Sequence, residues 1–537
     1  MRLYLIPALA LLSTSALAAP PKLIVAISVD QFSSDLFDQY RPSFTGGLAR
    51  IASGAAFRNG YQSHAASETC PGHSTILTGT HPARNGVVAN NWYDQSIARD
   101  DKLVYCAEDE RVAGSSSSSY TVSPVHLLVP TLGERLKSVR PGSRNVAVAG
   151  KDRSALMMSG ANVDQRWYWT GDRFATDRKS GATPAKIPEL NAAIAAALAA
   201  PRPALEAPPL CEAKSRAVAV EGSDRTVGTG HFARNADDRS AFRNSPELDG
   251  ATLAMAALLV DDLGLGQRSE TDVLSIGLSA TDTVGHAYGT QGVEMCLQLL
   301  ALDREIGDFM AALDARKIDY AIVLTADHGG LDIPERMRVE GGDPHAARVD
   351  PALAPGTMGM KLVNQLGLTG FGLLGEGPSG DIYVDASLSL GQRARMLSAA
   401  VAAYRKHPQV EKAFTGAELQ ATPMPTGSPA TWTPIQRARA SYYPGRSGDL
   451  VVVLKRAITP ISDTSRSVAT HGSLWDYDRR IPILFWHQGM PAAPTDAVAD
   501  TVDIMPTLAA WIDLPVAAGS VDGKCLAGIP GVTCPTR

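Results

Sequence analysis

Three aspartates and three histidines stand at well-separated points of the 537-residue chain: Asp30, Asp282, His286, Asp327, His328 and His471. Carboxylate oxygen together with imidazole nitrogen suits zinc and, less selectively, manganese or iron. Asp282 and His286 are four apart, which puts both on one face of a helical turn. Asp327 and His328 are adjacent, so their side chains diverge. Two metal ions, or one ion with supporting groups around it, both suit that pattern. A further candidate is Thr69, in the run Glu68-Thr-Cys-Pro-Gly-His73. Proline is favoured in the first turn of a helix, where its missing N–H costs nothing, and an apolar run from Ser74 to Thr78 continues from Pro71. Thr69 is therefore placed at or just before a helix N-terminus, where free N–H groups and the positive end of the helix dipole can receive an anion. The simpler use of such a threonine is as a helix cap. Beside a metal cluster the hydroxyl is instead a nucleophile, and a two-metal site can clamp both oxygens of an in-line phosphoryl displacement. Asn90-Asn91, beside Trp92, make a turn or offer an amide N–H to a bound anion. Lys151 and Arg153, one residue apart at a strand end, are either solvated surface charge or anion ligands.

These groups need elements to position them. Residues 22–29, 145–150, 272–279, 320–325 and 481–486 are continuous apolar, β-branched runs and read as strands buried on both faces. Three of them lead directly into Asp30, Asp282 and Asp327, and the carboxyl ends of strands are where open α/β sheets place their sites. A helix is expected over 292–313 between two of the strands, which makes that pair parallel. A last helix over 503–512 closes the sheet. The expected fold is α/β, a mostly parallel central sheet flanked by helices, with two inserted segments forming a cap or rim. The boundaries read as 19–154, 266–345 and 461–537 for the core and 155–265 and 346–460 for the insertions.

Composition narrows the setting. The formal charge of −5 points to neither nucleic acid nor an anionic membrane surface. Residues 1–18 carry Arg2, an apolar run from Leu3 to Leu12 and Ala16-Leu-Ala18, the pattern of a secretory signal. No later segment holds the roughly 20 apolar residues that a membrane span needs, so no membrane insertion is expected. The destination is the periplasm, with full secretion as the alternative, and a monomer is expected. Six cysteines fit an oxidising compartment. Cys525 and Cys534 are the easiest pair to close, Cys106 and Cys211 could also pair, and Cys70 and Cys296 read as buried thiols.

Taken together, Asp30, Thr69-Cys-Pro-Gly-His73, Asp282-x3-His286, Asp327-His328-Gly and Thr470-His471-Gly resemble the alkaline phosphatase superfamily, more closely its type I phosphodiesterase/nucleotide pyrophosphatase branch. Thr69 with Lys151-x-Arg153 resembles the bacterial periplasmic phosphate-irrepressible alkaline phosphatases. The resemblance implies two zinc ions: one held by Asp282, His286 and His471, the other by Asp30, Asp327, His328 and the Thr69 oxygen. It implies attack by Thr69 and a phosphothreonine intermediate, with the Cys70 N–H and the Asn90 side chain on the non-bridging oxygens; Asn91 replaces Asn90 if the register slips. Lys151 and Arg153 then favour the dianionic head of a phosphate monoester over a diester. The substrates are thus small phosphate monoesters; a diesterase on the same core and a non-catalytic phosphate-ester-binding protein are the alternatives. Cys70-Pro71 also matches part of the sulfatase motif, but Gly72 and His73 stand where that motif has Ser and Arg. His64, His73 and His345 are not counted as ligands.

Overall fold

The strand that organises the molecule is Leu23–Val29 (β1), every residue of which is buried. Leu23, Val25, Ile27 and Val29 enter one hydrophobic core, and Ile24 and Ala26 enter another on the opposite face. This two-sided burial is why the run does not alternate with polar residues. The computed structural model describes residues 19–178, 183–340 and 342–535; the leader read over 1–18 lies outside them.

Eight more strands complete the main sheet: β2 (Ala55–Tyr61), β3 (Asn145–Ala149), β4 (Gln165–Trp169), β5 (Phe174–Ala175), β6 (Asp272–Leu278), β7 (Tyr320–Thr325), β8 (Arg480–His487) and β9 (Ala493–Asp500). Their spatial order is β9-β2-β8-β7-β1-β6-β3-β4-β5. From β7 to β4 all neighbours are parallel. β8 is antiparallel to β7 and β2, β9 is parallel to β2, and β5 folds back on β4. In register, Val29 lies beside Leu278, and Ser28 lies beside Thr325. The residues that follow these three strands therefore emerge together at one edge.

Helices cover both faces. Among them are α1 (Thr69–Thr78), α2 (Asp152–Ser159), α3 (Glu247–Leu263), α4 (Ala280–Tyr288), α5 (Val293–Ala315) and α6 (Ile504–Trp511). Met255 and Leu259 of α3 and Leu299 and Leu302 of α5 fill one core; Ile76 and Leu77 of α1 and Met505 and Leu508 of α6 fill the other. Helix, sheet and helix make three layers.

Residues 346–460 build a separate four-stranded antiparallel sheet from Leu373–Leu374, Gly380–Val384, Leu450–Leu454 and Val410–Thr415. Helix Leu390–Lys406 packs on it, and Leu362, Leu388, Met396, Tyr404 and Leu450 belong to a hydrophobic core of its own.

Two expectations need correction. Residues 155–265 are not all inserted, because β4 and β5 extend the main sheet and α3 covers it. The aromatic, polar-flanked run Gln165–Trp169 lacks the aliphatic signature of a central strand. The cysteines pair as Cys70–Cys106, Cys211–Cys296 and Cys525–Cys534, so Cys106 does not join Cys211, and neither Cys70 nor Cys296 is a free thiol. Only the short C-terminal loop was close enough in sequence to be read. Among the described residues no helix is long and apolar enough to cross a membrane.

Candidate active site

Helix α1 begins at Thr69, with Glu68 in extended backbone ahead of it and no side chain capping its N-terminus. Thr69 is thus the first helical residue rather than the cap. The Thr69 hydroxyl lies 3.4 Å from Arg153 Nη2. All ten residues of the helix are buried. The helix runs so close to the end of β7 that a Cβ at position 72 would lie 2.1 Å from the Asp327 carbonyl oxygen, which only Gly72 allows.

Asp30 follows β1, Asp327 and His328 follow β7, and Asp282 and His286 face each other across one turn of α4, just beyond β6. His471 comes from the loop before the short helix Asp476–Arg479 that leads into β8. The three imidazoles share one arrangement. Nδ1 of His286 lies 2.8 Å from the Ala469 carbonyl, that of His328 2.9 Å from the Gly329 carbonyl, and that of His471 2.8 Å from the Ser67 carbonyl. A carbonyl only accepts, so each Nδ1 carries a proton and Nε2 is turned to the cluster, as a hydrogen bond at the far ring nitrogen orients a metal-binding histidine. His286 Nε2 and His471 Nε2 lie 3.2 and 3.4 Å from Asp282 Oδ1. His328 Nε2 lies 3.4 Å from Asp30 Oδ1 and 3.3 Å from Asp327 Oδ2.

These contacts lack hydrogen-bond geometry. Among the described residues Asp30 Oδ1, Asp282 Oδ1, Asp327 Oδ2 and His328 Nε2 are buried without a hydrogen-bond partner. Four converging lone-pair atoms, each orphaned, are costly unless a cation sits among them. Asp30, Asp327 and His328 offer atoms within 4.8 Å of one another, and so do Asp282, His328 and His471. The donor set of oxygen and imidazole nitrogen fits zinc.

The crowding of these charges shifts their titration. Burial and the charges of Asp282 and Asp327 push the Asp30 carboxyl well above its usual range, against the pull of Lys151. Burial pushes His328 down to about 3, so it is a neutral ligand-type imidazole. Burial also acts against a charge on His471, but the neighbouring Asp282 carboxylate overcomes it and lifts the group to about 9. The Lys151 ammonium donates to Asp30 Oδ2 and to Asp282 Oδ2, each at 2.6 Å, and is only 6 % exposed. It is therefore not surface charge.

Around this cluster the asparagine pair divides. Asn90 Oδ1 accepts from the Cys70 N–H at 2.9 Å, and the Asn90 N–H donates to Glu68 at 2.7 Å. Asn91 turns to Glu376, in the loop between two strands of the inserted sheet, at 2.7 Å. The Cys70 N–H, expected on a substrate oxygen, is occupied by Asn90 here. His73 touches Asp327 at 3.1 Å, His64 pairs with Gln62 and His345 is exposed. A cavity lined by Glu68, Trp92, Glu376, Tyr383 and Gly472 opens between the core and the inserted sheet, beside the start of α1. Sequence reasoning missed Glu68, Tyr105, Tyr120 and Asp152. The first and last of these lie directly beside Thr69 and Arg153, which was the available signal.

Against known proteins, the model of the type I phosphodiesterase / nucleotide pyrophosphatase family matches residues 24–474. The chain belongs to that family. The match spans every residue of the cluster from Asp30 to His471. The alkaline phosphatase PhoK of Sphingomonas sp. is 52% identical over 521 residues, which is 96% of this chain and 93% of that protein. The alkaline phosphatase PhoD of Zymomonas mobilis is 45% identical over 522 residues, covering 96% of this chain and 90% of its own. The crystal structure of the alkaline phosphatase PafA superposes with a TM-score of 0.82 at 24% identity, over 95% of this chain and 99% of that one, and shares the fold.

Proposed function

We propose that the protein is an exported phosphate monoester hydrolase of the alkaline phosphatase type that works with two zinc ions. The observation that carries this is the convergence of three oriented imidazoles and three aspartates on orphaned lone pairs, beside a hydroxyl at a helix start. Asp282, His286 and His471 would hold one ion, and Asp30, Asp327, His328 and the Thr69 oxygen the other. When bound, zinc lowers the pKa of a coordinated oxygen and stabilises charge on entering and leaving oxygens.

The protein's own groups do the rest. Thr69 Oγ forms a bond to phosphorus and the bond from phosphorus to the ester oxygen breaks, so the alcohol departs and takes up a proton. Water then cleaves the phosphothreonine, returning the hydroxyl and releasing phosphate. The N-terminus of α1 favours the negative charge of the phosphoryl group. Arg153, already at the Thr69 hydroxyl, and Lys151 supply positive charge where a monoester carries a third non-bridging oxygen and a diester does not. Asn90, its oxygen taken by Cys70, has its amide N–H groups to offer. Relatives named alkaline phosphatases that align over 96% of the chain support the reaction class. Export, read from residues 1–18, with a periplasmic destination and a monomeric state, belongs to the same proposal, as does the reading of residues 346–460 as an inserted segment.

Acid quench of the zinc-loaded enzyme during turnover, followed by peptide mass analysis, tests it. A phosphate on the peptide containing Thr69 and two zinc ions per chain are expected. A chain that holds no zinc, or that hydrolyses monoesters without ever carrying phosphate on Thr69, would overturn it.

A further inference from the structure

Arg153 is held by more than its own backbone. Its Nη1 lies 3.4 Å from the Tyr105 hydroxyl, and that hydroxyl donates to Asp152 Oδ1 at 2.8 Å. The Tyr120 hydroxyl donates to Asp152 Oδ2, also at 2.8 Å. The two phenol rings lie 4.8 Å apart, centroid to centroid. Asp152 Oδ1 additionally accepts the Arg153 backbone N–H at 2.7 Å. Burial pushes both phenols up, so each remains an O–H donor. One hydroxyl can donate once and accept as well, and Tyr105 uses both capacities, toward Asp152 and toward Arg153.

This leaves a defined part of the guanidinium in use by the site. With Nη1 on Tyr105, the edge formed by Nε and Nη2 faces the start of α1. Nη2 reaches Thr69, and Nε is buried with no partner among the described residues. Two parallel N–H groups on one edge are what a phosphoryl group accepts as a pair, and the unpartnered Nε–H is the half of that pair left open. The tyrosine side is fixed to the nucleophile side by a covalent link, since Cys106 follows Tyr105, Cys70 follows Thr69, and the two cysteines are joined.

We propose that Tyr105, Tyr120 and Asp152 form a positioning unit that holds the Nε/Nη2 edge of Arg153 on the phosphoryl group at Thr69, and that this unit sets the share of the preference for monoesters over diesters that Arg153 contributes beside Lys151. The inference rests on the phosphomonoesterase reading above. It makes Tyr105 a specificity-determining residue that touches no substrate. An arginine free to swing loses the second hydrogen bond of the pair, and with it the discrimination that the third oxygen provides.

Matched aryl phosphate mono- and diesters, with inorganic phosphate as a competitive inhibitor, test this on the zinc-loaded full chain. Tyr105→Phe keeps the ring and removes the hydroxyl. It is expected to lower kcat/KM for the monoester about five- to tenfold more than for the diester and to weaken phosphate inhibition by a similar factor. Asp152→Asn is the second variant and moves the ratio in the same direction. The deciding arm is Tyr105→Phe in an Arg153→Ala background, where no further change in the ratio is expected because the two residues act as one unit. Effects that simply add, or a ratio that does not move, would overturn the positioning role. A wild-type enzyme that turns over no monoester would instead overturn the reading beneath it.

Discussion

The two large sheets of this protein divide the work unequally. The main sheet ends three adjacent parallel strands in Asp30, the turn into Asp282, and Asp327, and its chemistry is packed so tightly that position 72 has no room for a Cβ. The inserted sheet has its own core around Met396 and Tyr404 and brings no group into the metal cluster. The inserted segment meets the site from outside, through Glu376 on Asn91, through Tyr383 in the buried cluster that holds Cys70, and as one wall of the cavity. Reaction and stability should therefore separate. Changes at the carboxyl edge of the main sheet should stop turnover, and changes in the inserted core should cost folding energy while leaving the metal cluster intact.

The strongest challenge to this division is Thr69→Ala. It removes one hydroxyl from the first turn of α1 and is expected to cut kcat at least about a thousandfold while thermal stability and zinc content hold, as loss of a nucleophile does. Turnover within a factor of ten of wild type would show that the main-sheet edge does not carry the reaction. Next is Gly72→Ala, whose new methyl must push α1 away from Asp327. We expect fewer than two zinc ions per chain by elemental analysis and turnover reduced in parallel; full zinc occupancy would show that the close approach is not needed to build the site.

On the other side of the comparison, Met396→Ala opens a cavity in the inserted core and is expected to cost about 2–5 kcal/mol in denaturant unfolding. Zinc stays at two per chain. Loss of zinc in this variant would mean that the two regions are one cooperative unit. The smallest effect is expected for Leu390→Ser, where the native side chain is 82% exposed. Its unfolding free energy should change by no more than about 0.5 kcal/mol, and a larger change would point to a contact on that face.

The sequence showed the main sheet better than it showed the inserted one. β1, β6 and β7 were legible because strands buried on both faces must be continuously apolar, and their terminal aspartates came with them. β2 and β9 were not, because Ala55–Tyr61 carries Arg58 and Asn59, and Ala493–Asp500 carries Thr495 and Asp496, which read as loop without their partners in space. The candidate metal-ligand groups were legible as residue types but not as geometry. The carbonyls of Ser67, Ala469 and Gly329 that orient the imidazoles are backbone atoms, which no residue type announces. Lys151 illustrates the same limit: its place between Asp30 and Asp282 depends on three strand ends meeting, so its surface alternative could not be discarded from the sequence. The tyrosine pair was hidden for a different reason, since Tyr105 reaches Asp152 from the end of a hairpin, Asn91–Tyr93 with Leu103–Tyr105, that the Cys70–Cys106 link ties to α1.

Steady-state kinetics of the zinc-loaded mature chain on matched aryl phosphate mono- and diesters, repeated for Arg153→Ala and Lys151→Ala, tests the central claim most directly. The wild type is expected to prefer the monoester strongly and to lose all activity on chelation. Each variant should lower monoester kcat/KM about a hundredfold, with a smaller loss on the diester. A wild-type preference for the diester, or variants that leave the ratio unchanged, would contradict the account and move the protein to the diesterase side of its family.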